Sequence, residues 1–150
     1  MFRNPDHITI AVIDADAAIA FFELLGFRKG HVARIDGGEP ARYMGMPDMK
    51  ADHITLDLEG SDPNFQIQLL HFEPTPGEPA EQQTSNHQRV GFNHLALRVD
   101  DIHAATAHLE AHGVQMLSDE MDYISRKLRF FRGPENITLE LVEWVDVDDS

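Results

Sequence analysis

Cysteine is absent from this chain of 150 residues, which excludes disulfides, thiolate metal sites and cysteine nucleophiles together. No apolar run approaches the roughly 20 residues that a membrane-spanning helix needs. The opening residues, MFRNPDHITI, lack the apolar stretch of a signal peptide, so a cytoplasmic protein is the expectation. Positive charge is scarce: 12 Lys and Arg stand against 26 Asp and Glu, a formal net charge of −14. Nucleic acid and anionic membranes are thereby poor partners, because phosphate binding needs clustered Lys and Arg. Part of the acidity is a tail, Asp146, Asp148 and Asp149, that reads as a solvated terminus. Neither a Ser-His-Asp pattern nor a phosphate-cradling glycine loop occurs. What is present, 42% hydrophobic and 25% charged residues, suits a globular chain with one core or two small modules sharing one.

The informative feature is an internal repeat. DHITIAVIDADAAIAFFELLG, from residue 6 to 26, and the stretch from Gly91 to Gly113, GFNHLALRVDDIHAATAHLEAHG, each read as strand, capped turn and amphipathic helix. His7 and His94, Asp14 and Asp101, and Gly26 and Gly113 are each 87 positions apart. In the first copy His7, Thr9 and Ala11 alternate with Ile8, Ile10 and Val12. Asp14 or Asp16 caps the helix, Ala18, Phe21, Phe22 and Leu25 form its apolar stripe, and Gly26 ends it. In the second, His94, Ala96 and Arg98 share a strand face, and Ile102, Ala105 and Leu109 face the core.

Further strands are expected from Phe27 to Ile35 and from Val114 to Leu117. Between Glu39 and Ala51 no period is evident, and this methionine-bearing segment is read as a connection or a lid. HITLDLE and FQIQLLHF form a hairpin that, folded symmetrically about Asp62 and Pro63, sets Asp57 opposite Gln68. ISRKLRFF and ITLELVEW form another, which sets Arg129 opposite Glu140 with Lys127 on the same face. The expected architecture is α+β: two βαβββ modules, residues 5–72 and 90–145, joined by a proline-rich linker, 73–89. They would form a curved mixed sheet around a metal cleft, with the helices on its convex face.

His7, Gln68, His94 and Glu140 recur at equivalent places of the two modules. Two imidazoles and two side-chain oxygens suit a borderline divalent metal. A lone strand histidine would be read as structural; the matched set turns the reading toward a metal. His108 and His112 lie on a helix flank and read as surface residues.

The chain resembles the vicinal oxygen chelate superfamily, which includes glyoxalase I, methylmalonyl-CoA epimerase, extradiol dioxygenases, and fosfomycin- and bleomycin-resistance proteins. The resemblance runs from His7 to Glu143 and is carried by HLALRVDDIHAATAHLEAHGVQML and FFRGPENITLELVE. The first segment is most similar to methylmalonyl-CoA epimerase, whose pattern uses two His, one Gln and one Glu. That resemblance implies His7, Gln68, His94 and Glu140 as ligands of one divalent ion, with Zn, Ni, Co, Mn and Fe undistinguished. It also implies a lyase, isomerase or epimerase that acts on a small carbonyl or thioester substrate through a metal-chelated enolate. One carboxylate among four ligands leaves a surplus positive charge for an oxyanion. Glu140 would then move the proton, with Asp57 or His53 as a second base. The epimerase carries a catalytic carboxylate on its third strand, for which Asp57 is the nearest candidate, although its reach is shorter. Arg129 and Lys127, with His53, would hold an anionic substrate. An iron dioxygenase using His7, His94 and Glu140 is the first alternative, and a metal-free antibiotic-binding protein the second. A homodimer is expected, since a partner would cover open sheet edges.

Overall fold

The structure is a computed structural model that describes residues 1–75 and 90–145. The chain divides into two compact units, Met1–Pro79 and Ala80–Ser150. Most of the expected linker and the acidic tail lie outside the described residues.

In the first unit β1 (His7–Ala11), α1 (Ala15–Leu24), β2 (Phe27–Asp36), α2 (Gly38–Tyr43), β3 (Lys50–Leu58) and β4 (Gln66–Phe72) follow one another. Their sheet has the order β1-β4-β3-β2, with β1 parallel to β4 and the other pairs antiparallel. The second unit contains β5 (Leu95–Arg98), α3 (Ile102–Ala111), β6 (Met121–Asp122), β7 (Arg126–Arg132) and β8 (Thr138–Trp144). Its order is β5-β8-β7-β6, again with one parallel pair, β5 with β8. The class is thus α+β, built from two four-stranded mixed sheets of the same topology. Among the described residues no helix is long and apolar enough to cross a membrane.

Local chemistry accounts for both long helices. Asp14 caps α1 by accepting from the Ala17 amide at 3.0 Å, and Asp101 caps α3 by accepting from the His103 and Ala104 amides at 2.9 and 3.0 Å. Each capping carboxylate satisfies amides that have no partner inside the helix. The helices end at Gly26 and Gly113, whose φ angles of 94° and 79° lie in the left-handed region open to glycine. From α1, Ala18 and Phe22 are fully buried, and Phe22 meets Phe27 edge-on at 5.9 Å between ring centres. From α3, Ile102, Thr106 and Leu109 are buried. The opposing sheet faces supply Leu56, Ile67 and Leu69 in the first unit, and Phe131, Leu139 and Leu141 in the second.

Several expectations need correction. The segment after Asp36 is not an aperiodic connection: it forms α2, whose Ala41 packs with Met49 onto Ala51 and Leu70. Val114 to Leu117 makes only a single bridge, Met116 with Phe131, and the edge strand of that sheet is β6. Both hairpins are displaced from symmetric folding. Asp57 pairs with Gln66 and Thr55 with Gln68, because Leu58 donates to the Phe65 carbonyl at 3.0 Å and Phe65 packs toward Phe27. In the last hairpin Phe130, not Arg129, lies opposite Glu140. There Glu135 and Asn136 both take positive φ and Gly133 donates to Ile137, which centres the turn on Glu135. A one-residue slip moves every side chain to the other face.

Candidate functional site

In the first unit, one sheet face carries polar side chains in cross-strand rows. His7, Gln66 and Asp57 make one row, and Thr9, Gln68 and Thr55 the next. A chain of hydrogen bonds runs through them. Asn64 Nδ2 and Gln66 Nε2 both donate to Asp57 Oδ1 at 2.8 Å. Gln68 Nε2 donates to Gln66 Oε1 at 3.0 Å, and His53 Nε2 meets Gln68 Oε1 at 2.9 Å. Because an amide oxygen only accepts, His53 carries its proton on Nε2. The bonds from Asn64 and then Gln66 lower the Asp57 pKa below the usual carboxylate range. They hold it as an anion, which works against Asp57 as a proton acceptor. His53 lies half-buried against Gln68.

In the second unit the corresponding row is Ala96, Glu140 and Phe130. Ala96 stands 87 positions after Thr9, so Glu140 occupies the register place that Gln68 holds in the first unit. Glu140 is only 8% exposed. His94 Nε2 lies 3.6 Å from Glu140 Oε1, and the imidazole meets the Phe130 ring edge-on at 5.0 Å.

Both histidines are oriented in the same way. His7 Nδ1 lies 2.5 Å from Asp6 Oδ1, and His94 Nδ1 lies 2.6 Å from Asn93 Oδ1. A proton held on Nδ1 by such an oxygen leaves the Nε2 lone pair to a ligand, the arrangement usual behind metal-binding imidazoles. Asp6 and Asn93 went unnoticed in the sequence, although they share the 87-residue offset and immediately precede the histidines.

Lys127 and Arg129 do not share the face of Glu140. Lys127 pairs across the sheet with Glu143 and Arg129 with Leu141. Lys127 Nζ is engaged by Asp122 at 3.1 Å and Glu120 at 3.8 Å, while Arg129 Nε donates to the Ser118 carbonyl at 3.0 Å. The cations that alternate onto the strand face of Glu140 are instead Arg98, Arg126 and Arg132. Arg126 lies 5.0 Å from the centre of the Trp144 ring and 5.6 Å from that of Tyr123.

Among the described residues no group of three or more His, Asp or Glu side chains is gathered tightly enough to hold a metal by itself. Each unit instead offers one oriented imidazole and one side-chain oxygen, a neutral amide in the first and a carboxylate in the second. That donor chemistry fits a divalent ion of borderline softness.

Comparison with known proteins is consistent along the chain. A sequence profile described as the Glyoxalase/Bleomycin resistance protein/Dioxygenase superfamily matches residues 4–141. The uncharacterized protein YaeR of Escherichia coli (strain K12) is 39% identical over 144 residues, 94% of this chain and 96% of that one. A lactoylglutathione lyase of Schizosaccharomyces pombe is 26% identical over 141 residues, 92% of this chain but 44% of the enzyme. Among solved structures, a glyoxalase family protein from Bacillus cereus superposes with a TM-score of 0.82 at 26% identity, covering 97% of this chain and 96% of that one. The antibiotic binding protein TnmS3 from Streptomyces sp. CB03234 shares the fold at 18% identity, with a TM-score of 0.65 and coverage of 95% and 97%.

Proposed function

Since this chain belongs to the Glyoxalase/Bleomycin resistance protein/Dioxygenase superfamily, we propose that it is a divalent-metal-dependent lyase, isomerase or epimerase acting on a small carbonyl or thioester substrate. The observation that carries this reading is the repeated placement of His7 with Gln68 and of His94 with Glu140. Each oxygen donor sits at the same sheet register, and each imidazole is turned by the residue before it. The likeness to a lactoylglutathione lyase supports carbonyl chemistry.

In this reading His7, Gln68, His94 and Glu140 hold the ion, two donors from each unit. A bound divalent ion supplies positive charge that stabilises a developing oxyanion and acidifies the neighbouring C–H. Glu140 moves the proton: its carboxylate is flanked by Phe130 and largely withdrawn from solvent. Gln68 adds a neutral oxygen, so the ligands carry a single negative charge and a positive surplus remains.

The test is metal content of protein purified without oxygen. His94→Ala should lose most of the bound divalent ion, whereas His108→Ala, altered on an exposed helix position, should keep it. Equal metal content in wild type and His94→Ala would end the reading.

A further inference from the structure

We propose that Asp57 is a positioning residue that fixes which end of the Gln68 amide faces a bound cation. The inference rests on the reading of Gln68 as a metal donor and adds what makes a glutamine dependable in that role. An amide has one face of each kind: its oxygen attracts a cation and its NH2 repels it. The carboxylate of Glu140 presents oxygen in either orientation and needs no such control. Gln68 does need it, because rotation by half a turn about its last bond would exchange acceptor for donor.

The hydrogen-bond chain removes that freedom. Asp57, an anion, can only accept, so the Gln66 amide must turn its nitrogen toward Asp57 Oδ1. Gln66 then has only its oxygen left on the side of Gln68, and it takes the Gln68 N–H at 3.0 Å. Gln68 is thereby left with its oxygen free of its own NH2 side, where His53 donates to one lone pair at 2.9 Å. The second lone pair stays available to a cation. Reversing the chain would set the Gln66 oxygen against the Asp57 carboxylate at a separation of 2.8 Å, with no proton between them. Asn64, the other donor to Asp57 Oδ1, offers the same polarity.

Gly30 provides an independent mark of the same design. It lies where β2 bulges between Lys29 and Val32. A Cβ at this position would stand 2.9 Å from both Asp57 Oδ2 and Thr55 Oγ1. The φ of Gly30 is not in the left-handed region, so its backbone does not require glycine. The missing side chain makes room for the carboxylate.

The experiment titrates the purified 150-residue chain, freed of metal, with Co(II). Wild type is compared with Asp57→Asn, Gly30→Ala and Gln68→Ala, recording affinity and the visible Co(II) absorption bands. Side-chain amide signals of Gln66 and Gln68 are followed by 15N NMR before metal is added. An asparagine at 57 can face Gln66 with either atom and releases the direction of the chain. Asp57→Asn should weaken Co(II) about 10- to 100-fold, the usual effect of losing an outer-shell partner. Its Co(II) bands should move toward those of Gln68→Ala, and the Gln68 amide signals should shift in the metal-free protein. Gly30→Ala, which displaces the same carboxylate without altering its chemistry, should act in the same direction. If Gln68→Ala weakens Co(II) while Asp57→Asn and Gly30→Ala leave affinity, bands and amide signals unchanged, the positioning role is overturned and the ligand reading stands. If Gln68→Ala leaves Co(II) affinity unchanged, both are overturned.

Discussion

Gln68→Glu should keep its divalent ion and lose most of its ability to exchange a substrate α-proton. A second carboxylate among the ligands strengthens the attraction for the cation but cancels the surplus charge that stabilises an oxyanion. A loss on the order of 100- to 1,000-fold in proton abstraction is expected, comparable to removing one oxyanion contact. The structure adds a second reason. A carboxylate at position 68 has no N–H for Gln66 Oε1, which now accepts one at 3.0 Å, so the polar chain toward Asp57 is broken as well. The readouts are metal titration and solvent-deuterium exchange at the α-carbon of candidate carbonyl compounds and thioesters. The dioxygenase alternative needs only His7, His94 and Glu140, so in it neither Gln68→Ala nor Gln68→Glu should alter metal occupancy. Undiminished proton exchange in Gln68→Glu would overturn the role given to the charge at position 68, and oxygen uptake on a catechol-like substrate by a Gln68→Ala protein of normal metal affinity would decide for the dioxygenase.

The largest stability effect is expected in the core of the first unit. Phe22 is fully buried on α1 and meets Phe21 and Phe27 edge-on, at 5.2 and 5.9 Å between ring centres. Phe22→Ala removes that apolar volume and leaves a cavity that the sheet beneath cannot close, at a cost of about 3–5 kcal/mol. Phe21→Ala, one position away and only partly buried, should cost clearly less. Urea unfolding of the two variants checks this, and equal losses would mean that α1 is seated on a different face.

These forecasts draw on features of unequal visibility in the sequence. The helices were legible because their caps are local: Asp14 and Asp101 sit beside the amides they satisfy, and Gly26 and Gly113 follow where the chain must turn. The α+β class was legible for the same reason, as was the alternation that sets His7 and Thr9 apart from Ile8 and Ile10. Hairpin register was not, because it depends on which residue at the tip accepts a left-handed conformation. At Glu135 and Asn136 two non-glycine residues do so, and the slip carries Arg129 and Lys127 away from Glu140. α2 was missed since GEPARY has no apolar period and its start at Gly37 has no side-chain cap. Asp6 and Asn93 were within reach: the offset that paired the histidines pairs their neighbours too. The direction of the Gln66 and Gln68 amides could not be read at all, because it is a property of the assembled chain of contacts.

The strand order also sets a sequence of events in time. β2, β3 and β4 are joined by short connections, whereas β1 reaches its place only by pairing with β4, His7 with Gln66, 59 positions further along. Closing so long a loop costs more chain entropy before any contact rewards it. The strand bearing His7 should therefore dock after the β2–β4 meander has formed. Trimming the buried Leu56 on β3 to Ala should slow refolding, while Ile10→Val on β1 should mainly hasten unfolding. Stopped-flow kinetics of the two variants distinguishes them, and a refolding rate that falls with Ile10→Val in proportion to the stability lost would reverse the order. On this order His7 is the late arrival in the first unit's polar row, so an ion bound as proposed above would complete a scaffold that it did not nucleate.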